Sequence, residues 1–544
     1  MSRSSTEFMG TPAGLFHWIP GEMIVIARLT RIPLDDAIDI VTEQIQIQLN
    51  NFLARHQLAV DLYGTGGRWS ESPAMPPVRR RAFVFGLDRK QPLIALFLHT
   101  RALDMREGDP LPAALSYIHA NIAYFAQTGL HIISAMPNWL VAAAPLLYND
   151  GGPSAPPRPA PGLDIANAAN ALPGWHLQLS TQGLPLDARA AEDVVVVVLD
   201  TAHHPDRIRS AATRPELRRN WLLQRLAEDM RLEDGSFVVE YDRYTLTNDV
   251  RTGHDADQLN RYYLMPDHGL FVSGVIRDLA PRAHIRLVRA LNDFGGSDLY
   301  TLFAILTDLE HELVSGTIRR LVINLSLTIM PDSLRLPYLW FQDRQWPTAQ
   351  LLGVQHILTS LEEGLRLLFE SLLSHGALIV AAAGNDSTQS VGKGLAPRPP
   401  RAPARYASTL GVSALNSHFM PAQFANAANL PTNESGVATF GGDNPGLQDK
   451  NGLPDAVRGV FISPTFPTGE TNYNGWADWS GSSFSTAMIS ALGAHLMAQG
   501  WSAPNIITRL SVGQEQRSDI TFGTPPDLVS LLANIIYVQQ HFGL

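Results

Sequence analysis

Cysteine is absent from the 544 residues, and charged side chains make up 17% of them, where about 25% is usual. The lack of cysteine favours a reducing compartment, although a secreted protein can also do without disulfides. No apolar run is long enough to span a membrane, and residues 1–10 lack the apolar region of a signal peptide. These absences predict a cytoplasmic protein with no membrane partner.

Positive charge is also in short supply. The net charge is −10 and the isoelectric point is about 5.9, which argues against a nucleic-acid partner. Hydrophobic residues account for 45% of the sequence, so a large core is available. The chain is too long for one ordinary core and is therefore expected to form two or more domains.

Residues 1–148 are predicted to form a small α+β domain. Apolar residues at helical spacing predict helices over residues 34–58 and 111–127. Runs with high β propensity predict strands over residues 22–29, 59–63, 81–86 and 131–135, with a possible additional strand at 93–99. The order β-α-β-β-α-β is that of a ferredoxin-like sandwich, which by itself says little about function.

A linker is predicted over residues 149–190, because Gly151–Gly162 is rich in proline and is expected to be extended and exposed. At the other end, residues 515–544 are predicted to contain a last helix from Leu528 to Phe542. Its apolar face is expected to dock on the preceding domain.

Residues 191–514 alternate strands with helices, which predicts a doubly wound parallel α/β sheet. The β-branched run at residues 194–199 fits a strand that is buried on both faces. Sites in such sheets form beyond the carboxyl ends of the strands. The other predicted strands cover residues 285–290, 321–325 and 377–382, and the predicted helices cover 268–279, 299–314 and 351–374.

Three polar residues are predicted to meet at this edge. Asp200 follows the first strand, His268 opens a helix, and Ser483 lies at the start of a buried helix, where unpaired N–H groups favour an oxyanion. Taken singly, each has an ordinary structural interpretation, such as a helix cap. Together they supply a nucleophile, a base that takes its proton and a carboxylate that orients the base.

The segments around these residues resemble subtilisin-like serine proteases (subtilases, peptidase family S8) over residues 193–499. The chain order Asp, His, Ser is the known order of subtilisin. Asp200-Thr-Ala resembles the family's Asp-Ser/Thr-Gly, and His268-Gly-Leu-Phe-Val-Ser-Gly resembles His-Gly-Thr-x-Val-Ala-Gly. Ala381-Ala-Ala-Gly-Asn resembles the oxyanion-hole segment, and Gly481-Ser-Ser-Phe-Ser-Thr-Ala resembles Gly-Thr-Ser-Met-Ala-x-Pro.

The resemblance implies a serine endopeptidase that acts on a protein or peptide substrate. Ser483 would attack the scissile carbonyl, His268 would act as the base and Asp200 would orient it. The side chain of Asn385 would form the oxyanion hole together with the backbone N–H of Ser483. The chemistry requires no cofactor. Calcium is a common structural ion in the family, but no ligands can be assigned here.

The resemblance also implies which residues bind the substrate. They are Ser326, Leu327, Thr328 and Gly384. Thr328 stands where the family has glycine, so it is expected to narrow the primary specificity pocket or to shift the substrate strand. His203 and His204 suggest a metal site, but no ligand spacing completes one, and a solvated loop is predicted there.

The N-terminal region resembles the prodomain of subtilases, because Ser134–Leu140 is similar to the end of such domains. The resemblance implies a domain bound in cis to the catalytic cleft. The alternative is an adaptor or sensing domain that stays attached and gates the protease.

Two other functions stay open. A catalytically silent pseudoprotease would agree with the altered motif residues Ala202, Leu270, Ser482 and Ala487. An α/β-hydrolase esterase is a weaker alternative, because no Gly-x-Ser-x-Gly follows a strand and its chain order would be Ser, acid, His.

Overall fold

The structure is a computed structural model. It describes residues 18–32, 35–63, 80–87, 89, 91–104, 108–143, 156–160, 191–232, 235–244, 246, 264–329, 360–392, 394, 396–416, 420–428, 436–448 and 454–511. The predicted C-terminal helix, the start of the helix predicted at 351 and most of the linker lie outside the described residues. No helix in the described part of the chain is both long and apolar enough to cross a membrane.

The strands and helices are numbered here in chain order. The strands are β1 (Trp18–Arg28), β2 (Leu58–Leu62), β3 (Ala82–Phe85), β4 (Leu93–Ala102), β5 (Ile132–Ala143), β6 (Arg158–Pro159), β7 (Val195–Asp200), β8 (Phe237–Glu240), β9 (His284–Arg289), β10 (Gly296–Asp298), β11 (Leu321–Leu325), β12 (Leu327–Ile329), β13 (Leu378–Ala382), β14 (Leu410–Leu415), β15 (Gly436–Phe440), β16 (Asn444–Gln448), β17 (Pro454–Asp455), β18 (Val457–Val460) and β19 (Trp476–Trp479). The α-helices are α1 (Asp35–Leu53), α2 (Leu111–Ala120), α3 (Ile122–Gln127), α4 (Pro205–Thr213), α5 (Trp221–Asp229), α6 (His268–Leu279), α7 (Leu299–Val314), α8 (Glu363–Ser374), α9 (Thr388–Gly392), α10 (Ser482–Ala498) and α11 (Ala503–Ser511).

The N-terminal strands form an antiparallel sheet in the order β5-β1-β4-β2, with β3 also paired to β4. Residues 23–27 of β1 and 94–98 of β4 are completely buried along their length rather than at alternate positions. Such continuous burial requires cover on both faces. The N-terminal helices pack on this sheet, and α7 and α8 of the second domain also contact it. The predicted α+β architecture is confirmed.

Two N-terminal elements differ from their predictions. The helix predicted over residues 111–127 is divided into α2 and α3, because Asn121 leaves the helical conformation with φ −127°. The last strand was predicted to end at Ala135, but β5 runs on to Ala143. It continues because residues 140–143 pair with β10 and β12 of the second domain, which local sequence does not reveal.

The second domain is built on a seven-stranded sheet in the order β15-β14-β13-β11-β7-β9-β8. All neighbouring strands are parallel, which confirms the predicted α/β sheet. Valine, isoleucine and leucine dominate β7, β11 and β13 because these central strands are buried on both faces. Strands β8, β14 and β15 were not predicted.

Residues 156–160 of the predicted linker dock on the second domain. In β6, Pro159 pairs with Ala477 and Arg158 pairs with Asp478, both in antiparallel register with β19. The segment is extended, as predicted, but Pro157 and Ala160 are buried rather than exposed.

Helix α10 lies against α6, β11 and β13. It is buried almost all round, as its small and apolar residues predicted. Gly493 permits the close approach to the sheet, since a Cβ there would collide with the side chain of Leu378. This packing holds the start of α10 at the edge of the sheet where β7 ends.

Candidate active site

Asp200 and His268 form a buried pair at the end of β7. The Nδ1 atom of His268 lies 2.8 Å from Oδ1 and 2.9 Å from Oδ2 of Asp200. Asp200 Oδ1 also accepts a hydrogen bond of 2.7 Å from the backbone N–H of Thr201. Because an ionised carboxylate only accepts, Nδ1 carries the proton and Nε2 is left as the basic nitrogen.

Gly269 allows α6 to approach β7 this closely. A Cβ on Gly269 would lie 2.8 Å from the Cβ of Asp200 and would also collide with the carbonyl of Thr201. The N–H of Gly269 donates to Thr201 Oγ1 at 3.1 Å. This lack of space explains why glycine follows histidine in the motif.

Ser483 lies in the first turn of α10 and is buried. Its Oγ has no hydrogen-bond partner within the described part of the chain. Ser483 and His268 nevertheless line the same small pocket. Hydrogen bonds of this kind are often unformed without a substrate, so the arrangement brings the two groups together without joining them.

Asn385 lies beside the start of α10. Its Oδ1 accepts a hydrogen bond of 3.0 Å from the backbone N–H of Ser482. Its Nδ2 lies 3.4 Å from the position that a Cβ on Gly481 would occupy. The carboxamide is anchored by its oxygen, so its NH₂ group is directed towards the turn that leads into Ser483.

Leu327 and Thr328 lie in β12 and pair with the end of β5. Leu327 is opposite Ala143, and Thr328 is opposite Ala142. On its other side β5 pairs with β10, and the N–H of Ala143 donates to the carbonyl of Gly295 at 2.7 Å. Ala143 also lines the pocket that contains Ser483. The segment predicted to bind substrate therefore pairs with the chain's own strand β5.

Ser326 and Gly384 are both in close contact with neighbouring segments of the site. Ser326 Oγ lies 3.1 Å from the carbonyl oxygen of Ser483 and 3.0 Å from Asn324 Oδ1, so its side chain faces the interior under α10. Gly384 has φ +112°, and a Cβ there would lie 2.7 Å from Asn426 Nδ2. Only glycine fits this position without strain.

Two parts of the site were not predicted. Residues Gly296–Asp298 form β10, whose short polar sequence gave no strand signal. Trp479 and Phe484 pack on His268, with ring centroids 5.2 and 5.6 Å from its ring. Trp479 lies two residues before the serine motif and Phe484 lies within it, so their position in the sequence was the available signal.

A second buried Asp–His pair lies next to the first. His203 Nε2 is 3.1 Å from Asp267 Oδ1, and Asp267 also accepts from the backbone N–H of Ile462 at 2.7 Å. Burial alone would raise the pKa of Asp267, but the charge of His203 and the hydrogen bonds outweigh it and lower that pKa. The predicted loop is present at residues 201–204 and exposes His204, but the expected solvation is wrong for His203, which this contact buries.

His204 is half exposed, and its ring accepts from the N–H of Asp206 at the start of α4. Among the described residues, no three histidine, cysteine or acidic side chains lie close enough together to hold a metal ion.

A sequence profile described as the Subtilase family (Peptidase_S8) matches residues 191–513. The chain belongs to the subtilase family. The matched range covers all four motifs and the pocket that His268 and Ser483 line. Membership makes peptides the expected substrates.

Other comparisons add little to the subtilase assignment. The crystal structure of a lanthipeptide protease is similar to the chain at 15% sequence identity, with a TM-score of 0.36, over 63% of this chain and 88% of that one. No curated protein matches the chain.

Proposed function

We propose that the chain is a serine endopeptidase whose N-terminal domain occupies its own substrate cleft. The observation that carries the catalytic part is the buried contact of His268 Nδ1 with both oxygens of Asp200, in a pocket that His268 shares with Ser483. That contact leaves Nε2 unprotonated and able to take the proton of Ser483.

In this mechanism Ser483 Oγ attacks the scissile carbonyl while His268 Nε2 takes its proton. The carbonyl oxygen becomes an oxyanion, which accepts hydrogen bonds from the Asn385 side chain and the backbone N–H of Ser483. Asp200 stabilises the imidazolium without taking its proton. His268 then protonates the leaving amine, and a water molecule hydrolyses the acyl-enzyme by the same steps.

The regulatory part is supported by the pairing of β5 between β10 and β12. This places an extended segment with backbone hydrogen bonds where a peptide substrate is expected. Buried contacts hold the sheet on the catalytic domain: Trp139 Nε1 donates to Leu361 O at 3.1 Å, and Gly86 N donates to Glu310 Oε1 at 3.0 Å. A substrate must displace β5 before it can bind.

The alternative is a catalytically silent pseudoprotease. Two observations favour it: the altered motif residues, and the lack of a hydrogen-bond partner for Ser483 Oγ among the described residues. A cytoplasmic location, chemistry without a cofactor and the exact domain boundaries remain predictions.

The deciding experiment is the intact mass of the wild type and of Ser483→Ala, before and after treatment with a fluorophosphonate. The peptidase predicts one adduct on the wild type and none on the variant, together with loss of peptide hydrolysis in the variant. A wild type shortened near residues 144–155 means that the N-terminal domain is removed, and a labelled full-length chain means that it is retained. Absence of an adduct on the wild type favours the silent alternative.

A further inference from the structure

One buried side chain holds the segment that carries the proposed oxyanion-hole residue. Asn426 lies in the loop that follows β14 and is 1% exposed. Its Oδ1 accepts hydrogen bonds of 2.9 Å from the backbone N–H of Asp386 and from Ser387 Oγ. Its Nδ2 donates to Asp386 Oδ2 at 3.0 Å and to the carbonyl of Ala383 at 3.3 Å. The carboxamide therefore binds residues 383–387 through both its oxygen and its nitrogen.

Asn385 stands in the middle of the segment that Asn426 holds. On the side before it, the backbone N–H of Asn426 donates to the carbonyl of Gly384 at 3.0 Å. A Cβ on Gly384, whose φ is +112°, would lie 2.7 Å from Asn426 Nδ2, so the carboxamide fills the space beside this glycine. On the side after it, the N–H of Asp386 is bound by Asn426 Oδ1. The backbone that directs the Asn385 side chain towards α10 is therefore fixed on both sides by one residue.

We propose that Asn426 is a positioning residue of the oxyanion hole, which keeps the Asn385 carboxamide where its NH₂ group can bind the oxyanion. The inference rests on the proposed peptidase function. Within the described part of the chain, none of the hydrogen bonds of the Asn426 side chain reaches a residue that lines the active-site pocket. Its effect therefore passes through Asn385. Such support matters because an oxyanion-hole donor must lie about 2.7–3.1 Å from the oxyanion.

Arg401 allows the Asn426 side chain to be removed without leaving a buried charge alone. The Nε atom of Arg401 donates to Asp386 Oδ2 at 2.5 Å, so the buried carboxylate of Asp386 keeps a cationic partner in an Asn426→Ala variant. The backbone N–H of Asp386 and the hydroxyl of Ser387 do lose their acceptor. The substitution is therefore expected to loosen the segment around Asn385 rather than to unfold the domain.

Asn220→Ala is the matched control for Asn426→Ala. Asn220 is also buried and also binds through both ends of its carboxamide, because Oδ1 accepts from the N–H of Leu223 at 2.9 Å and Nδ2 donates to the carbonyl of Gly475 at 2.5 Å. These bonds cap α5 and do not reach residues 383–387. Both substitutions remove the same atoms from buried positions, so a general loss of stability should appear in both. Asn426→Ser is the second test variant if Asn426→Ala does not fold.

The kinetic test is a double-mutant cycle with Asn385→Ala in the full chain. We expect Asn426→Ala to lower kcat by about 10- to 100-fold with little change in KM, because a misplaced donor weakens binding of the transition state alone. In the Asn385→Ala background the same substitution should change kcat by less than about twofold, since the group through which it acts is gone. Asn220→Ala should keep the kcat of its parent in both backgrounds. Equal losses from Asn426→Ala in the two backgrounds would overturn the proposal.

Amide hydrogen exchange tests the positioning without catalysis. The backbone N–H of Ser482 donates to Asn385 Oδ1 at 3.0 Å, so its protection reports on the Asn385 side chain. Mass spectrometry of peptides that cover Ser482 should show exchange about tenfold faster in Asn426→Ala than in the wild type, and no change in Asn220→Ala. Unchanged exchange in a folded Asn426→Ala would refute the positioning. A wild type that neither reacts with a fluorophosphonate nor hydrolyses peptides would refute the peptidase function instead, and exchange alone would then decide whether Asn426 holds Asn385.

Discussion

Gly364 offers a way to loosen the N-terminal domain without touching the active site. It lies in α8 of the catalytic domain, and the three atoms nearest to a Cβ placed there all belong to the N-terminal sheet. They are Cγ1 and Cδ1 of Ile26, the latter at 2.9 Å, and Cε of Met136 at 3.0 Å. The substitution Gly364→Ala would therefore press one methyl group into the interface between the two domains.

The size of the effect follows from this collision. Overpacking a well-filled interior typically costs about 1–3 kcal/mol. Gly364 is the second residue of α8, and alanine is a better helix former than glycine, so the catalytic domain should not be weakened. If the cost falls on docking, the fraction of molecules with an open cleft rises about 5- to 150-fold, since 1.4 kcal/mol is a factor of ten.

The assay is the rate at which a fluorophosphonate labels Ser483, which requires an open cleft. Gly364→Ala should label faster by this factor. Gly392→Ala is the matched control, because it makes the same change at the end of α9, where a Cβ would meet no atom within 4 Å. Adding Ile26→Ala should slow the labelling again by removing the atoms that collide. If Gly364→Ala labels at the rate of Gly392→Ala, the N-terminal sheet does not gate the site.

Two other predictions concern the oxyanion hole and acid stability. Asn385→Ala should lower kcat by about 10²–10³, which is the loss known for the oxyanion-hole asparagine of subtilisin, a member of the same family; a much smaller loss in steady-state kinetics would place the oxyanion elsewhere. Burial lowers the pKa of His119 below its ordinary 6.5, against the opposing effect of its hydrogen bond to Ala135 O. The imidazole of His119 therefore binds a proton more readily in the unfolded chain than in the folded one. The contribution of His119 to the free energy of unfolding is complete above pH 6.5 and declines as the pH falls below it. The denaturation midpoint should fall on acidification less steeply in His119→Gln than in the wild type, and identical slopes would contradict the role of His119.

The parts of the fold that local sequence encodes were predicted well. Helices α6 and α7 have the predicted bounds. The β-branched run before Asp200 is a central parallel strand, because a strand that is buried on both faces needs apolar residues at every position. The contact of Asp200 with His268 also matches the expectation from the motifs. The catalytic roles of these residues stay predictions until activity is measured.

The missing parts depend on partners that are distant in sequence. The extension of β5 to Ala143 and the docking of residues 156–160 are each determined by edges that lie more than a hundred residues away. The propensity of Gly296–Asp298 is that of a loop, and only pairing with β5 makes it a strand. His203 likewise becomes buried because Asp267 is brought to it by α6.

The cover that α7 and α8 give to the N-terminal sheet has a consequence during protein synthesis. The N-terminal sheet is complete once Ala143 has left the ribosome, but the two helices that cover its second face end only at Ser374. At usual elongation rates of about 5–20 residues per second, the intervening residues take about 10–50 s to make. Until the second of these helices has been made, Ile26 and Met136 lack their contact with Gly364. When α7 and α8 emerge, they meet a preassembled apolar surface, on which the first half of the catalytic domain can form before Ser483 has been translated.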